Sequence, residues 1–133
     1  MNSRSGGSTF ASLNTAHMKY AIQIEETAFF ILALVAIYYQ PLQFSWWVWI
    51  LLFLLPDLGM LGYLVNTEIG AHTYNLLHHR SVGAAVWLLG LYTQQPYITL
   101  TGIILLGHSS FDRALGYGLK FPDSFKHTHL GWL

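Results

Sequence analysis

The sequence contains no cysteine and very few charged residues. The absence of cysteine excludes disulfides, thiolate metal sites and a cysteine nucleophile. Charged side chains make up 9% of the 133 residues, whereas soluble domains average about 25%. The formal net charge of +0 gives no electrostatic footprint for nucleic acid, so we expect no nucleic-acid partner. Since hydrophobic residues make up 53% of the chain, the composition indicates an integral membrane protein.

Four apolar segments follow one another, each close to the roughly 20 residues that cross a bilayer. They occupy residues 20–39, 44–64, 73–92 and 97–115. The short loops between them predict an all-α fold, a polytopic four-transmembrane-helix up-down bundle over residues 19–116. Residues 1–18 are rich in Ser, Gly and Asn and predict a disordered tail. Residues 117–133 predict an interfacial C-terminal tail, or alternatively a lid over the bundle.

The basic residues lie almost entirely at the two ends of the bundle. Arg4 and Lys19 precede the first span, and Arg113, Lys120 and Lys126 end or follow the fourth. The positive-inside rule therefore predicts that both termini face the cytoplasm.

The polar residues of all four spans share one depth, in the cytoplasmic half of the bundle. They are Glu25, Glu26, Asp57, Asn75, His78, His79, Arg80, His108, Asp112 and Arg113. Ionisable groups in a membrane normally face the bundle interior and pair with one another. Within the fourth span, His108 and Asp112 are four residues apart and share a helix face. Because imidazole and carboxylate are ligands of zinc, iron and manganese, the layer predicts a divalent metal site.

Several other readings of the same layer stay open. Arg80 and Arg113 offer counter-charges to Glu26, Asp57 or Asp112, which would make a neutral structural network without metal. The layer also suits a proton- or ion-translocating protein, although the outer halves of the spans offer no polar continuation. A haem with His78 and His108 as axial ligands is a further alternative. The last alternative is a non-catalytic, structural role for the polar layer.

Four stretches carry a resemblance to a known family. They are PDLGMLGYL (56–64), YNLLH (74–78), HSSFDRALGYGLKF (108–121) and FKHTHLG (125–131). With these, residues 20–131 resemble a family of small bacterial integral-membrane proteins known only as a domain of unknown function. The resemblance implies a multi-pass location in the bacterial cell inner membrane and no particular activity. The family's polar positions correspond to Glu25, Asp57, Tyr74, Asn75, His78, His108, Asp112, Arg113, Lys120 and His129. The resemblance thus favours Glu25 over Glu26, His78 over His79 and His129 over His127.

These observations together predict a metal-dependent membrane hydrolase acting on a lipid or another amphiphile. Asp57, His78, His108 and Asp112 are the predicted ligands of zinc, iron or manganese. The predicted general base is Glu25 or His129. Substrate-binding or supporting roles are predicted for Tyr74, Asn75, Arg113 and Lys120. We expect membrane lipid as a partner, and glycines in the spans leave a homodimer open.

Overall fold

The computed structural model describes the backbone of residues 5–133 and the side chains from residue 13 onward. Within these residues the chain forms five α-helices, one 3₁₀ helix and a small hairpin. They are α1 (Ser5–Tyr38), α2 (Trp46–Leu54), the 3₁₀ helix (Leu55–Leu64), α3 (Thr67–His78), α4 (Arg80–Thr93), α5 (Pro96–Ala114), β1 (His127–Thr128) and β2 (Gly131–Trp132). The predicted all-helical class is therefore correct, and the hairpin lies in the C-terminal tail.

The first predicted span forms one helix that is longer than expected. Helix α1 ends at Tyr38, and it extends back to Ser5 through residues for which we predicted a disordered tail. No proline interrupts this segment, so the helix continues out of its apolar part without a break. Residues 1–4 of the predicted tail lie outside the described residues.

The second predicted span changes its helix type at Pro56. Helix α2 ends at Leu54, and the chain continues as a 3₁₀ helix from Leu55 to Leu64. A 3₁₀ stretch of this length is uncommon, and within a helical segment it often marks a functional hinge or a strained sequence. Gly59 and Gly62 let the backbone of α3 approach closely, and Thr73 Oγ1 donates a hydrogen bond of 2.6 Å to the Gly59 carbonyl.

The third predicted span is not one helix, and the prediction over residues 73–92 was wrong on this point. The helical path breaks at His79, whose backbone is extended at φ −83° and ψ 118°. Its Nδ1 accepts the Ser81 amide at 3.3 Å and so caps α4. Helix α3 also begins earlier than predicted, because Asn66 Oδ1 accepts the Ile69 amide at 2.8 Å. Most of the predicted loop over residues 65–72 is therefore helical.

Helix α5 is the centre of the fold. Helices α1 and α4 pack along it in antiparallel fashion, and the end of α2 and the 3₁₀ helix reach it from another side. Gly83 and Gly90 of α4 lie against Leu106 and Thr99 of α5. The glycines that left a homodimer open therefore make close contacts within this chain.

Two helical segments are long and apolar enough to cross a membrane, namely Leu13–Tyr38 and Trp46–Leu64. Their large apolar side chains are mostly turned outward; Tyr38 is 82% exposed and Leu64 is 84% exposed. An outward-facing apolar surface of this extent is what a lipid environment covers.

The C-terminal tail folds back onto α3. Asn75 holds it at Lys120: its Nδ2 donates to the Lys120 carbonyl at 2.8 Å and its Oδ1 accepts the Lys120 amide at 2.6 Å. Beyond this point, His127–Thr128 pairs antiparallel with Gly131–Trp132. Thr128 and Lys120 are both buried, so the tail is a packed part of the fold.

Candidate metal centre

Three elements bring two histidines and two aspartates to one point. Asp57 lies in the first turn of the 3₁₀ helix, His78 is the last residue of α3, and His108 and Asp112 share one face of α5. One ligand atom of each side chain lies within 4.8 Å of all the others. All four residues predicted as metal ligands are therefore in one group, the Asp-His group below.

The spacing inside the Asp-His group is close to that of a bound metal. His108 Nε2 lies 3.2 Å from Asp57 Oδ1 and 3.8 Å from Asp112 Oδ1. His78 Nε2 lies 3.6 Å from Asp57 Oδ1 and 3.3 Å from Asp112 Oδ2. Tetrahedral ligands with bonds of about 2.0–2.1 Å lie about 3.3–3.4 Å apart. The four side chains could thus hold one metal ion with small adjustments.

Both imidazole rings are fixed by a backbone carbonyl on their other nitrogen. His108 Nδ1 donates to the Phe53 carbonyl at 2.7 Å, and His78 Nδ1 donates to the Tyr74 carbonyl at 2.9 Å. Because a carbonyl oxygen only accepts, each Nδ1 must carry the proton. In the neutral rings, both Nε2 lone pairs then point into the Asp-His group.

The missing amide hydrogen of Pro56 helps to leave the Phe53 carbonyl available. Phe53 lies in the last turn of α2, and in the 3₁₀ pattern that follows its carbonyl would accept the amide hydrogen of the residue three positions later. That residue is Pro56, which has no amide hydrogen. The sequence at the α2 end therefore frees a backbone acceptor for His108.

In the Asp-His group both imidazole Nε2 atoms face the two carboxylates, and His108 Nε2 is within hydrogen-bond distance of Asp57 Oδ1 at 3.2 Å. Because a carboxylate only accepts, this contact is a hydrogen bond when His108 Nε2 carries a proton, whereas His78 Nε2 makes no hydrogen bond within the described part of the chain. Buried acceptors that face one another require a cation between them, either a metal ion or protons on the imidazoles. Such a group could bind zinc, iron or manganese.

Burial leaves one side of the Asp-His group open. The side chains of His78 and His108 are each 3% exposed and that of Asp112 is 17% exposed. The Asp57 side chain is 37% exposed. A small molecule can therefore reach the group from the Asp57 side.

Tyr74 connects the group to its surroundings. Its hydroxyl donates to Asp112 Oδ2 at 2.8 Å, and its ring stacks on the His78 imidazole at 3.8 Å. This contact fixes the orientation of one carboxylate and one imidazole together. Next to it, Lys120 Nζ lies 5.1 Å from the Tyr74 ring centroid and 3.9 Å from that of Phe125. Burial lowers the pKa of Lys120.

The acidic residue of α1 that lies inside the fold is Glu26. The favoured residue, Glu25, is exposed, whereas Glu26 is 3% exposed. Arg80 Nη1 contacts Glu26 Oε1 at 2.8 Å and Arg113 Nη1 contacts it at 3.7 Å. We call these three residues the Arg-Glu group. The sequence leaves open which acidic residue pairs with Arg80 and Arg113, and in the structure both arginines pair with Glu26.

Neither predicted general base lies in the Asp-His group, and their catalytic role stays a prediction. His129 is exposed, and its Nδ1 accepts the Leu119 amide at 2.8 Å. Partial burial and the charge on Arg113 lower the pKa of His129. Glu25 lies on the outer face of α1. A signal in the sequence identifies Glu26 instead, because Glu26, Phe30 and Ala33 recur at helical spacing on the face that meets α5.

The remaining histidines of the polar layer and tail have structural partners. His79 caps α4, as described above. His127 Nδ1 contacts Asp123 at 2.7 Å, and its ring stacks on Trp132. The hydrogen bond with His127 lowers the pKa of Asp123. The His79 contact stabilises the start of α4 and the His127 contacts stabilise the tail, and none of them involves a member of the Asp-His group.

Comparison with known proteins places the chain in a family. The sequence profile of a domain of unknown function, DUF4260, matches residues 19–133, and the chain belongs to this family. No curated protein and no solved structure matches the chain.

Proposed function

We propose that this member of a family of unknown function is an integral-membrane metalloenzyme. In this proposal Asp57, His78, His108 and Asp112 hold one zinc, iron or manganese ion, and the reaction is hydrolysis of a lipid or another amphiphile. The observation that carries the proposal is the orientation of the two imidazoles. Both Nδ1 atoms donate to backbone carbonyls, which turns both Nε2 atoms toward the two carboxylates, in the arrangement that a bound metal ion uses.

The proposed membrane arrangement has four passes. Helix α1 forms the first pass, α2 with the 3₁₀ helix the second, α3 with α4 the third, and α5 the fourth. The antiparallel contacts of α1 and α4 along α5 support this path, as do the two segments long enough to span. Short helices at membrane depth are tolerated where they line a buried polar site. The break at His79 lies next to the Asp-His group and fits this condition.

Each of the four side chains has a role in this proposal. His78 and His108 supply neutral nitrogen ligands, and Asp112 is oriented by the Tyr74 hydroxyl. Asp57, as the most exposed member, lies at the side where substrate and water would enter. A bound zinc ion would supply Lewis acidity and lower the pKa of a water molecule to about 7.

An apolar slot next to the Asp-His group supports an amphiphilic substrate. The slot has a volume of about 290 Å³ and runs between α2, the end of α3 and α5. One end is lined by Pro56, Leu77 and Leu105. Pro56 and Leu77 directly precede Asp57 and His78, and Leu105 lies one turn before His108. A hydrocarbon chain in the slot would place a polar group close to the metal ligands. Lys120, which is close to Tyr74, is the proposed partner for an anionic headgroup.

Elemental analysis of the detergent-purified protein tests the metal assignment. We expect close to one equivalent of metal in the unsubstituted protein and a loss of most of it in His78→Ala and His108→Ala. His72→Ala is the matched control, because His72 is an exposed residue of the same helix α3 as His78. A folded, zinc-supplied protein without bound metal would contradict the proposal. Retention of full metal content in both variants would contradict the ligand assignment.

The hydrolase part of the proposal has its own measurement. Metal-loaded protein in mixed micelles should release a water-soluble product from lipid substrates, and Asp112→Asn should abolish this release. Metal binding without any turnover on phospholipids or acylated amphiphiles would contradict the hydrolase assignment and leave the metal site intact.

A further inference from the structure

A second, larger apolar groove lies between α1 and α4, with α5 as its floor. Its volume is about 610 Å³. Leu32 and Ala36 line it from α1, Ala84 and Leu88 from α4, and Leu106 from α5. Leu106 and Ser110 point to this groove, whereas His108 and Asp112 of the same helix belong to the Asp-His group. The groove and the metal ligands are therefore on different faces of α5.

One end of the groove is polar. Arg80 and Ser81 from the first turn of α4 and Ser110 from the last turns of α5 line it there. The opposite end is lined by apolar residues such as Ala36 and Leu88. An apolar groove with a charged end suits an amphiphile, whose hydrocarbon chain would lie against the apolar lining and whose headgroup would lie at Arg80.

The charge at the polar end is positive. Among the described residues, Arg80 and Arg113 each form an ion pair only with Glu26, so two guanidiniums share one carboxylate. Only the Nη1 atom of each makes this contact, and a guanidinium has five N–H donors. The Arg80 side chain is 29% exposed. Its remaining donors are available to an anion, and their fork geometry matches a phosphate.

We infer that this groove binds a lipid with an anionic headgroup. The acyl chain lies between α1 and α4, and the headgroup phosphate binds Arg80, with Arg113 contributing positive charge. This inference is independent of the metal site, because it uses another face of α5 and requires neither metal nor turnover.

Lipid retention measured by native mass spectrometry tests the inference. The detergent-purified full chain is incubated with phosphatidylglycerol or phosphatidylcholine that carry the same acyl chains. We expect preferential retention of phosphatidylglycerol by about tenfold, because both lipids offer a phosphate to Arg80 but the choline group of phosphatidylcholine places a like charge next to Arg80 and Arg113. Equal retention of the two lipids would overturn the inference.

Two neighbouring alanines provide a matched pair for the groove itself. Ala84→Trp places an indole inside the groove, whereas Ala85→Trp places it on the exposed side of the same helix. We expect Ala84→Trp to lose the retained lipid and Ala85→Trp to keep it. If the two variants retain phosphatidylglycerol equally, the lipid lies elsewhere and the inference is wrong.

Charge variants separate headgroup binding from structural pairing. Arg80→Gln removes a headgroup donor, whereas Glu26→Gln removes the competing carboxylate. We expect Arg80→Gln to lose the preference for phosphatidylglycerol and Glu26→Gln to keep or increase it. A purely structural ion pair would give the same loss in both variants and would overturn the headgroup assignment. Where either variant fails to fold, Arg80→Lys replaces it; it keeps the charge, and it should retain more phosphatidylglycerol than phosphatidylcholine.

Discussion

The two buried polar groups of this fold balance the negative charge of their carboxylates in different ways. In the Arg-Glu group, Glu26 is neutralised by guanidiniums that the chain itself supplies. In the Asp-His group, Asp57 and Asp112 face two imidazoles whose protons lie on the outer nitrogens. The first group has its counter-charges within the chain, with one guanidinium in excess, whereas the second balances its carboxylates either with protons on the imidazoles or with a bound metal ion.

The comparison shows why buried carboxylates alone do not indicate a metal. Both groups contain acidic residues at the same depth of the predicted bundle. For each of these residues the sequence is compatible with an ion pair or with a metal site. The decisive features are the identity of the neighbours and the direction of their protons.

The largest expected effect is on the free energy of unfolding when metal is removed. A ligand present at a thousand times its Kd stabilises the folded state by about 4 kcal/mol. We expect chelation to lower the stability of the unsubstituted protein by an amount of this order, measured by unfolding in detergent. His78→Ala should show no response to chelator, and Glu26→Gln should show the full response. An equal loss of stability on chelation in His78→Ala would contradict the assignment of His78 as a metal ligand.

The next effect concerns the Arg-Glu group. Glu26→Ala leaves two guanidiniums without their shared acid, and breaking a buried ion pair costs about 3 kcal/mol. The same unfolding measurement should show this loss both with and without metal. If the loss occurs only in the presence of metal, the two groups are not independent.

Tyr74→Phe is expected to have a smaller effect that is confined to the Asp-His group. The substitution removes the hydroxyl that donates to Asp112 and retains the stacked ring on His78. Loss of such a supporting hydrogen bond lowers metal affinity about tenfold. Competition with a metal indicator measures this change. The control is Tyr63→Phe, because the Tyr63 hydroxyl makes no hydrogen bond within the described part of the chain. This substitution should leave the metal affinity unchanged.

The smallest effect concerns the pH dependence of the tail. His129 accepts the Leu119 amide through Nδ1, so it must be unprotonated there. Its pKa is lowered by burial and by Arg113, with Glu26 acting in the opposite direction. The folded tail therefore binds this proton more weakly than the unfolded tail. Neutral His129 therefore contributes fully to the stability of the folded tail above the ordinary His pKa of about 6.5, and this contribution is lost as the pH falls below that value.

Hydrogen exchange at the Leu119 amide measures this change. We expect protection to decrease below about pH 6.5, and the decrease should disappear in His129→Ala, in which protection is low at every pH. A decrease that persists in His129→Ala would assign the transition to another group.

The position of each polar residue along its predicted span is enough to predict much of the candidate site. Asp57, His78, His108 and Asp112 lie at matching heights when four apolar segments run antiparallel, and the structure brings these side chains together. Depth does not distinguish Glu25 from Glu26, because neighbouring residues share a height. The helix face does, and it identifies Glu26 through Phe30 and Ala33.

The break at His79 could not be predicted from local pattern. Residues 73–92 read as one apolar helical run without proline, and glycine occurs in it only at Gly83 and Gly90. The break depends on tertiary packing, since α3 lies on the 3₁₀ helix and α4 on α5. The folded tail has the same origin, because it depends on Asn75, which is 45 residues away from Lys120 in sequence.

X-ray absorption spectroscopy of the zinc-loaded, detergent-purified protein tests directly whether the Asp-His group binds the metal ion. We predict a first shell of nitrogen and oxygen at about 2.0–2.1 Å with the outer-shell scattering of two imidazoles. His108→Ala should reduce this to one imidazole or abolish binding. A spectrum without imidazole scattering, or one that His108→Ala leaves unchanged, would contradict the Asp-His group as the metal site.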